Sequence, residues 1–119
     1  MPFSNLSRPL YEIKASLFKG LAHPLRIRIL ELLSESEELS VGFLQRETGL
    51  EASHLSQHLS VLRRYRLVTS ERRGSHVYYR ITGERVAEML TVARALLLDV
   101  LSEDGSRLEG ALVGSEQSR

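Results

Sequence analysis

Ser53-His54-Leu55-Ser56-Gln57-His58-Leu59-Ser60-Val61-Leu62-Arg63 repeats its chemistry with the period of a helix. Leu55, Leu59 and Leu62 recur at spacings of four and three, so they share one apolar face. His54, Ser56, Gln57 and Ser60 face outward, with Ser53 at the start. Such a helix packs on one side and offers hydrogen-bonding groups on the other. Ser53 is the natural N-cap, and Glu51 makes a helix start at Ala52 nearly as good.

The flanking residues give this helix a context. Upstream, Ser40 suits an N-cap, a short helix runs through Val41, Leu44 and Thr48, and Gly49 suits its end. Two helices joined by a tight glycine turn make a helix-turn-helix. Downstream, Leu67-Val68-Thr69 and Val77-Tyr78-Tyr79-Arg80-Ile81 have the β-branched and aromatic content of strands. Gly74-Ser75 supplies a turn between them. The result is a hairpin with a basic tip, which after a helix-turn-helix is a wing.

Working outward, a first helix starts near Arg8–Pro9 and carries Leu10, Ile13, Leu17 and Leu21. A second starts near His23–Pro24. Its residues Leu25, Ile27, Ile29, Leu30, Leu32 and Leu33 make it apolar around much of its circumference, which predicts the buried centre. Arg26 and Arg28 emerge at its edge. The last helix, from about Gly83 to Leu101, carries Val86, Met89, Leu90, Ala93, Leu97, Val100 and Leu101, and Leu96 and Leu98 add apolar surface beyond one stripe. In a chain of 119 residues, a terminal helix this apolar predicts contact with a second copy. The predicted fold is mainly α with a small β-hairpin: a winged helix-turn-helix of five helices and a two-stranded wing. The predicted organisation is an N-terminal arm over 1–8, a DNA-binding and dimerisation domain over 9–102, and a flexible tail over 103–119.

The net charge of +1 hides a polarised distribution. Residues 52–80 hold six arginines and one glutamate, a net of +5, and the rest of the chain carries −4. This is the footprint of a face that binds a polyanion. The chain has no cysteine, which removes disulfides, thiolate metal sites and thiol switches. No leader-like segment or membrane-spanning run is read, so the predicted location is the cytoplasm.

The outward side chains of the decisive helix suit base and phosphate recognition. The Gln57 amide can pair with N6 and N7 of adenine, and Ser53, Ser56 and Ser60 can donate to phosphates or base acceptors. Arg63, Arg64 and Arg66 close the helix, where one can answer the negative end of its dipole and Arg64 can instead pair with an acid on another helix. In the wing, Arg72, Arg73, Gly74, Ser75 and His76 are placed for phosphate or minor-groove contact. His54 and His58 share a helix face, but no third ligand joins them and that surface is wanted for DNA, so no metal or cofactor is assigned. Glu35, Glu37 and Glu38 read as a solvated acidic loop. No catalytic constellation appears, which argues against an enzyme.

Three stretches together resemble one family. Phe18-Lys19-Gly20-Leu21-Ala22-His23-Pro24-Leu25-Arg26-Ile27-Arg28-Ile29-Leu30 resembles the opening helices of ArsR/SmtB-type regulators. Ser53–Arg63 followed by Leu67-Val68 resembles their recognition helix, and Arg72–Ile81 their wing. The likeness runs from about Leu10 to Leu101. It implies a homodimer through the first and last helices, with Leu10, Ile13, Leu17, Met89, Leu90, Ala93, Leu97 and Val100 at the interface. It also assigns His58 to a position that touches backbone or base. Two metal sites of the family have no counterpart: Leu39-Ser40-Val41-Gly42-Phe43 lacks the Cys-x-Cys motif, and the last helix has no histidine.

The resemblance implies a repressor that binds double-stranded DNA at an inverted repeat near its own promoter. Its inducer is expected to be other than a metal at those sites, for example a small-molecule effector. Two alternatives stay open from sequence: a winged-helix dimer serving as a protein-interaction module, and a sensor with a non-standard metal site.

Overall fold

The computed structural model describes residues 7–103. Most of the expected arm and tail lies outside them. The elements, in chain order, are α1 (Leu10–Leu21), α2 (Pro24–Ser34), β1 (Leu39–Ser40), α3 (Val41–Thr48), α4 (Ala52–Arg64), β2 (Val68–Arg73), β3 (His76–Ile81) and α5 (Glu84–Ser102). Contacts divide the chain into two units, 1–87 and 88–119, so the division falls inside α5.

Local chemistry sets most boundaries in the first unit. Pro24 opens α2, and the His23 Nδ1 accepts a hydrogen bond from the Leu25 N–H at 3.1 Å, satisfying one of the helix's free donors. Ser40 caps α3 by accepting from the Phe43 N–H at 3.1 Å. Gly49 ends α3 at φ 69, a left-handed conformation that costs glycine little. Glu51, not Ser53, is the N-cap of α4, so Ser53 lies inside the first turn.

The core is aliphatic. Ile29, Leu30 and Leu33 of α2, Leu44 of α3, and Leu55 and Leu62 of α4 are fully buried, and Leu59, Val68, Tyr79 and Val86 are nearly so. α2 packs against α3, α4 and β3, which makes it the centre of this unit. α1 meets α4 at Gly20, where an added Cβ would come within 2.5–2.7 Å of the Tyr65 ring. The close approach of helix backbone to ring requires glycine there.

The expected hairpin is present, with Arg73 facing His76 and Val68 facing Ile81. Gly74 takes φ 63 at the first position of the two-residue turn, the place for glycine in a II′ loop. A further strand, not expected from the sequence, adds to it: β1 pairs antiparallel with β3, Leu39 to Tyr79 and Ser40 to Tyr78, giving the sheet order β1-β3-β2. Two residues are too short for any periodicity to show.

In α5, Val86 is buried, and Val92, Leu96, Leu97 and Val100 are exposed. Exposed apolar residues of α1 include Leu10 and Phe18, while Ile13 and Leu17 are half-buried. Among the described residues, no helix is long and apolar enough to cross a membrane.

Candidate nucleic-acid interface

The buried row Leu55, Leu59 and Leu62 fixes which side of α4 faces out. Directly opposite are Ser53, Gln57, Ser60 and Arg64, all exposed, at successive spacings of four, three and four. Ser56 and His54 flank this stripe on either side and are also exposed. The stripe therefore combines an amide, two hydroxyls and a guanidinium on one rigid surface. Arg64 is the member that sequence reasoning left ambiguous. Its spacing of seven from Gln57 is the signal that places it there.

His58 is set apart from this surface. It is half-buried, with its ring centroid 4.3 Å from that of His23 and its Nδ1 3.5 Å from the Arg26 guanidinium. Arg26 also donates from Nε to the Gly20 carbonyl at 2.8 Å. Arg26 and His58 thus tie the end of α1 and the start of α2 to α4. Burial lowers the His58 pKa, and the neighbouring charges of His23, Arg26 and His54 lower it further.

The α4 helix ends in a left-handed residue that is not glycine. Arg66 has φ 59, its N–H bonds the Arg63 carbonyl at 2.9 Å, and the Leu67 N–H bonds the Leu62 carbonyl at 2.9 Å. This pair is a Schellman motif, closed by the buried side chains of Leu62 and Leu67. It turns the chain from α4 straight into the β2–β3 hairpin.

Alternation along β2 divides the wing's charges between two faces. Ser70 and Arg72 share the face of the buried Val68, and the Arg63 guanidinium approaches the Ser70 hydroxyl at 3.5 Å. Arg72 therefore lies on the same strand face that α4 adjoins. Glu71 and Arg73 lie on the other face. Arg73 ion-pairs with Glu38, lies 3.6 Å from Glu71, and stacks 4.0 Å over the Tyr78 ring. Glu38 also lies 3.9 Å from Arg80. The Arg73 hydrogen bond, with the charges of Arg73 and Arg80, lowers the Glu38 pKa, and Glu38 in turn raises that of Arg73.

The basic window is thus not uniform. Arg73 and Arg80 are answered by Glu38 and Glu71, whereas no ion pair engages Arg63, Arg64, Arg66 or Arg72 among the described residues. Those four carry the positive charge of residues 52–80 that no acidic side chain answers among the described residues. Gly74, Ser75 and His76 are exposed at the hairpin tip, and His76 lies edge-on to Tyr78 at 6.4 Å. Among the described residues, no group of three or more His, Asp or Glu side chains is arranged to hold a metal.

Known proteins resemble this chain in sequence and fold. Residues 23–70, from the α2 cap into β2, match the family model for bacterial regulatory proteins of the arsR family. The chain is 48% identical over 108 residues to the HTH-type transcriptional regulator Rv0081 of Mycobacterium tuberculosis, spanning 91% of this chain and 95% of that protein. The crystal structure of Rv0081 matches with a TM-score of 0.76 at 52% identity, over 82% of this chain and 97% of that one. A homodimeric winged helix-turn-helix DNA-binding domain from Mycobacterium bovis matches with a TM-score of 0.67 at 33% identity, over 74% of this chain and 81% of that one. The transcriptional repressor PagR of Bacillus anthracis matches at 0.60 and 30% identity, over 67% of this chain and 91% of that one. Helix-turn-helix, wing and likeness coincide along the chain, and the protein belongs to the arsR family of bacterial regulatory proteins: it is a transcriptional regulator with a DNA-binding winged helix, not an enzyme.

Proposed function

We propose that the protein is a cytoplasmic homodimeric repressor that binds an inverted-repeat operator near its own promoter. Each α4 enters the major groove of one half-site, and each wing lies along the flanking backbone. The observation that carries this reading is the exposed stripe Ser53, Gln57, Ser60 and Arg64, beside Arg63 and Arg72, which no ion pair engages among the described residues. Gln57 reads a base; Ser53, Ser56, Ser60 and His54 contact base edges or phosphates; Arg63, Arg64 and Arg72 supply the positive charge that neutralises phosphates. Gly74, Ser75 and His76 bring the wing tip against the backbone.

Dimerisation is proposed through α1 and α5, using Leu10, Ile13, Leu17, Met89, Leu90, Ala93, Leu97 and Val100. The exposure of Leu10, Leu97 and Val100 in the single chain supports this, because water-exposed aliphatic side chains of this number favour burial against a partner. Twofold symmetry then requires an inverted repeat, with half-sites about one helical turn apart. The homodimeric state of the Mycobacterium bovis domain and the repressor role of PagR support the same reading.

The inducing signal is proposed to be a small molecule rather than a metal at the family's usual positions, since Ser40, Val41 and Gly42 offer no thiolate and α5 no imidazole. Titration of labelled DNA from the upstream region of its own gene tests the whole reading. Tighter binding to that fragment than to a scrambled one, unchanged by stoichiometric zinc, cobalt, nickel or cadmium, is the expected result. Equal affinity for the two fragments overturns the operator, and release by stoichiometric metal overturns the assignment of the signal.

A further inference from the structure

The wing carries two adjacent arginines that the fold treats oppositely. Arg72 shares the strand face that α4 adjoins and has no ion-pair partner among the described residues. The Arg73 guanidinium lies over the Tyr78 ring and is held by Glu38, with Glu71 beside it. Glu38 comes from the segment just before β1, which β3 joins to the wing. Its two carboxylate oxygens serve separate arginines, Oε1 facing Arg73 and Oε2 facing Arg80 at 3.9 Å. One carboxylate thus spans all three strands of the sheet.

We propose that Glu38 is a positioning residue that withholds Arg73 from DNA, leaving Arg72 as the phosphate-contacting arginine of the wing. The inference rests on the proposed DNA-binding function and adds a division of labour to it. A guanidinium already paired with a carboxylate neutralises no phosphate and releases no counterion. The clasp therefore lowers affinity for DNA of any sequence and leaves a larger share of binding to the base-reading stripe of α4. It also fixes the lean of the wing, since Arg73 is anchored to the far strand of the sheet.

The experiment measures affinity against salt concentration for the wild type, Glu38→Ala, Arg73→Gln and the double variant, on the upstream fragment and on scrambled DNA. Circular dichroism checks that each is folded. Arg73→Gln is expected to leave the wild-type salt slope unchanged. Glu38→Ala is expected to strengthen binding to both DNAs several-fold and to steepen the slope by about one phosphate contact. In the Arg73→Gln background, where Arg80 is the one partner of Glu38 left to release, Glu38→Ala is expected to steepen the slope by less than it does in the wild type, which separates a released Arg73 from the mere loss of a negative charge. The clasp is overturned if Arg73→Gln flattens the slope of the otherwise wild-type protein by about one contact, or if Glu38→Ala acts equally with and without Arg73. A wild-type protein that binds neither DNA contradicts the proposed function itself, and the clasp's role with it.

Discussion

Arg66 and His58 both occupy places that run against their ordinary preferences. Arg66 adopts φ 59, where a side chain with a Cβ costs about 1–2 kcal/mol relative to right-handed backbone. The Schellman bonds and the burial of Leu67 hold it there. Arg66→Gly relieves the strain but adds freedom to the unfolded chain, so the net gain is about 0.5–1 kcal/mol. The expected result is a Tm several degrees higher in thermal unfolding. Arg66→Val, with its branched Cβ, lowers it. His58 works through protonation. Its folded pKa lies below the ordinary histidine value of about 6.5, so the folded state prefers the neutral ring. The stability it contributes is present above that value and is lost as pH falls toward the folded pKa. Between pH 7.5 and 5.5 the wild-type Tm should fall more than that of His58→Gln.

At the scale of elements, α4 divides into a packed row and an exposed row, the one proposed to read DNA. Gln57→Ala should lower discrimination between operator and scrambled DNA, costing about 1–3 kcal/mol on the operator and little elsewhere. Arg72→Gln should instead weaken both DNAs and reduce the salt slope by about one contact. Identical behaviour of the two variants in a fluorescence titration would contradict this division. The helices were legible in the sequence because their signals are local: Pro24 at a first turn, Ser40 at a cap, Gly49 after a last turn, and leucines at helical spacing. The hairpin was legible for the same reason. What could not be read rests on residues far apart in the chain. The Glu38–Arg73 pair joins an apparently solvated loop to the wing across 35 positions, and the His23–His58 contact likewise spans distant residues. Glu35 and Glu37 are exposed, as their solvated reading expects, but Glu38 is half-buried and engaged. Arg66 gave no warning either, because arginine is not a residue associated with left-handed turns.

For the whole molecule, the proposed dimer would relate two copies of the exposed α4 row by a twofold axis. The apolar residues of α5 include more than one stripe, and Leu97 and Val100 are half or more exposed in the single chain, at 51% and 56%. Leu97→Glu should shift the protein toward monomer in sedimentation and weaken operator binding at low concentration, while leaving Leu55 and Leu62 of α4 packed. A twofold dimer holding two α4 helices selects a particular form of DNA, and recovering that form from random sequence tests the central claim most directly. Selection of bound duplexes from a random pool should yield an imperfect inverted repeat, with half-site centres about one helical turn, roughly 10 base pairs, apart. Enrichment of no common sequence, or of a single half-site without its inverted mate, would contradict it.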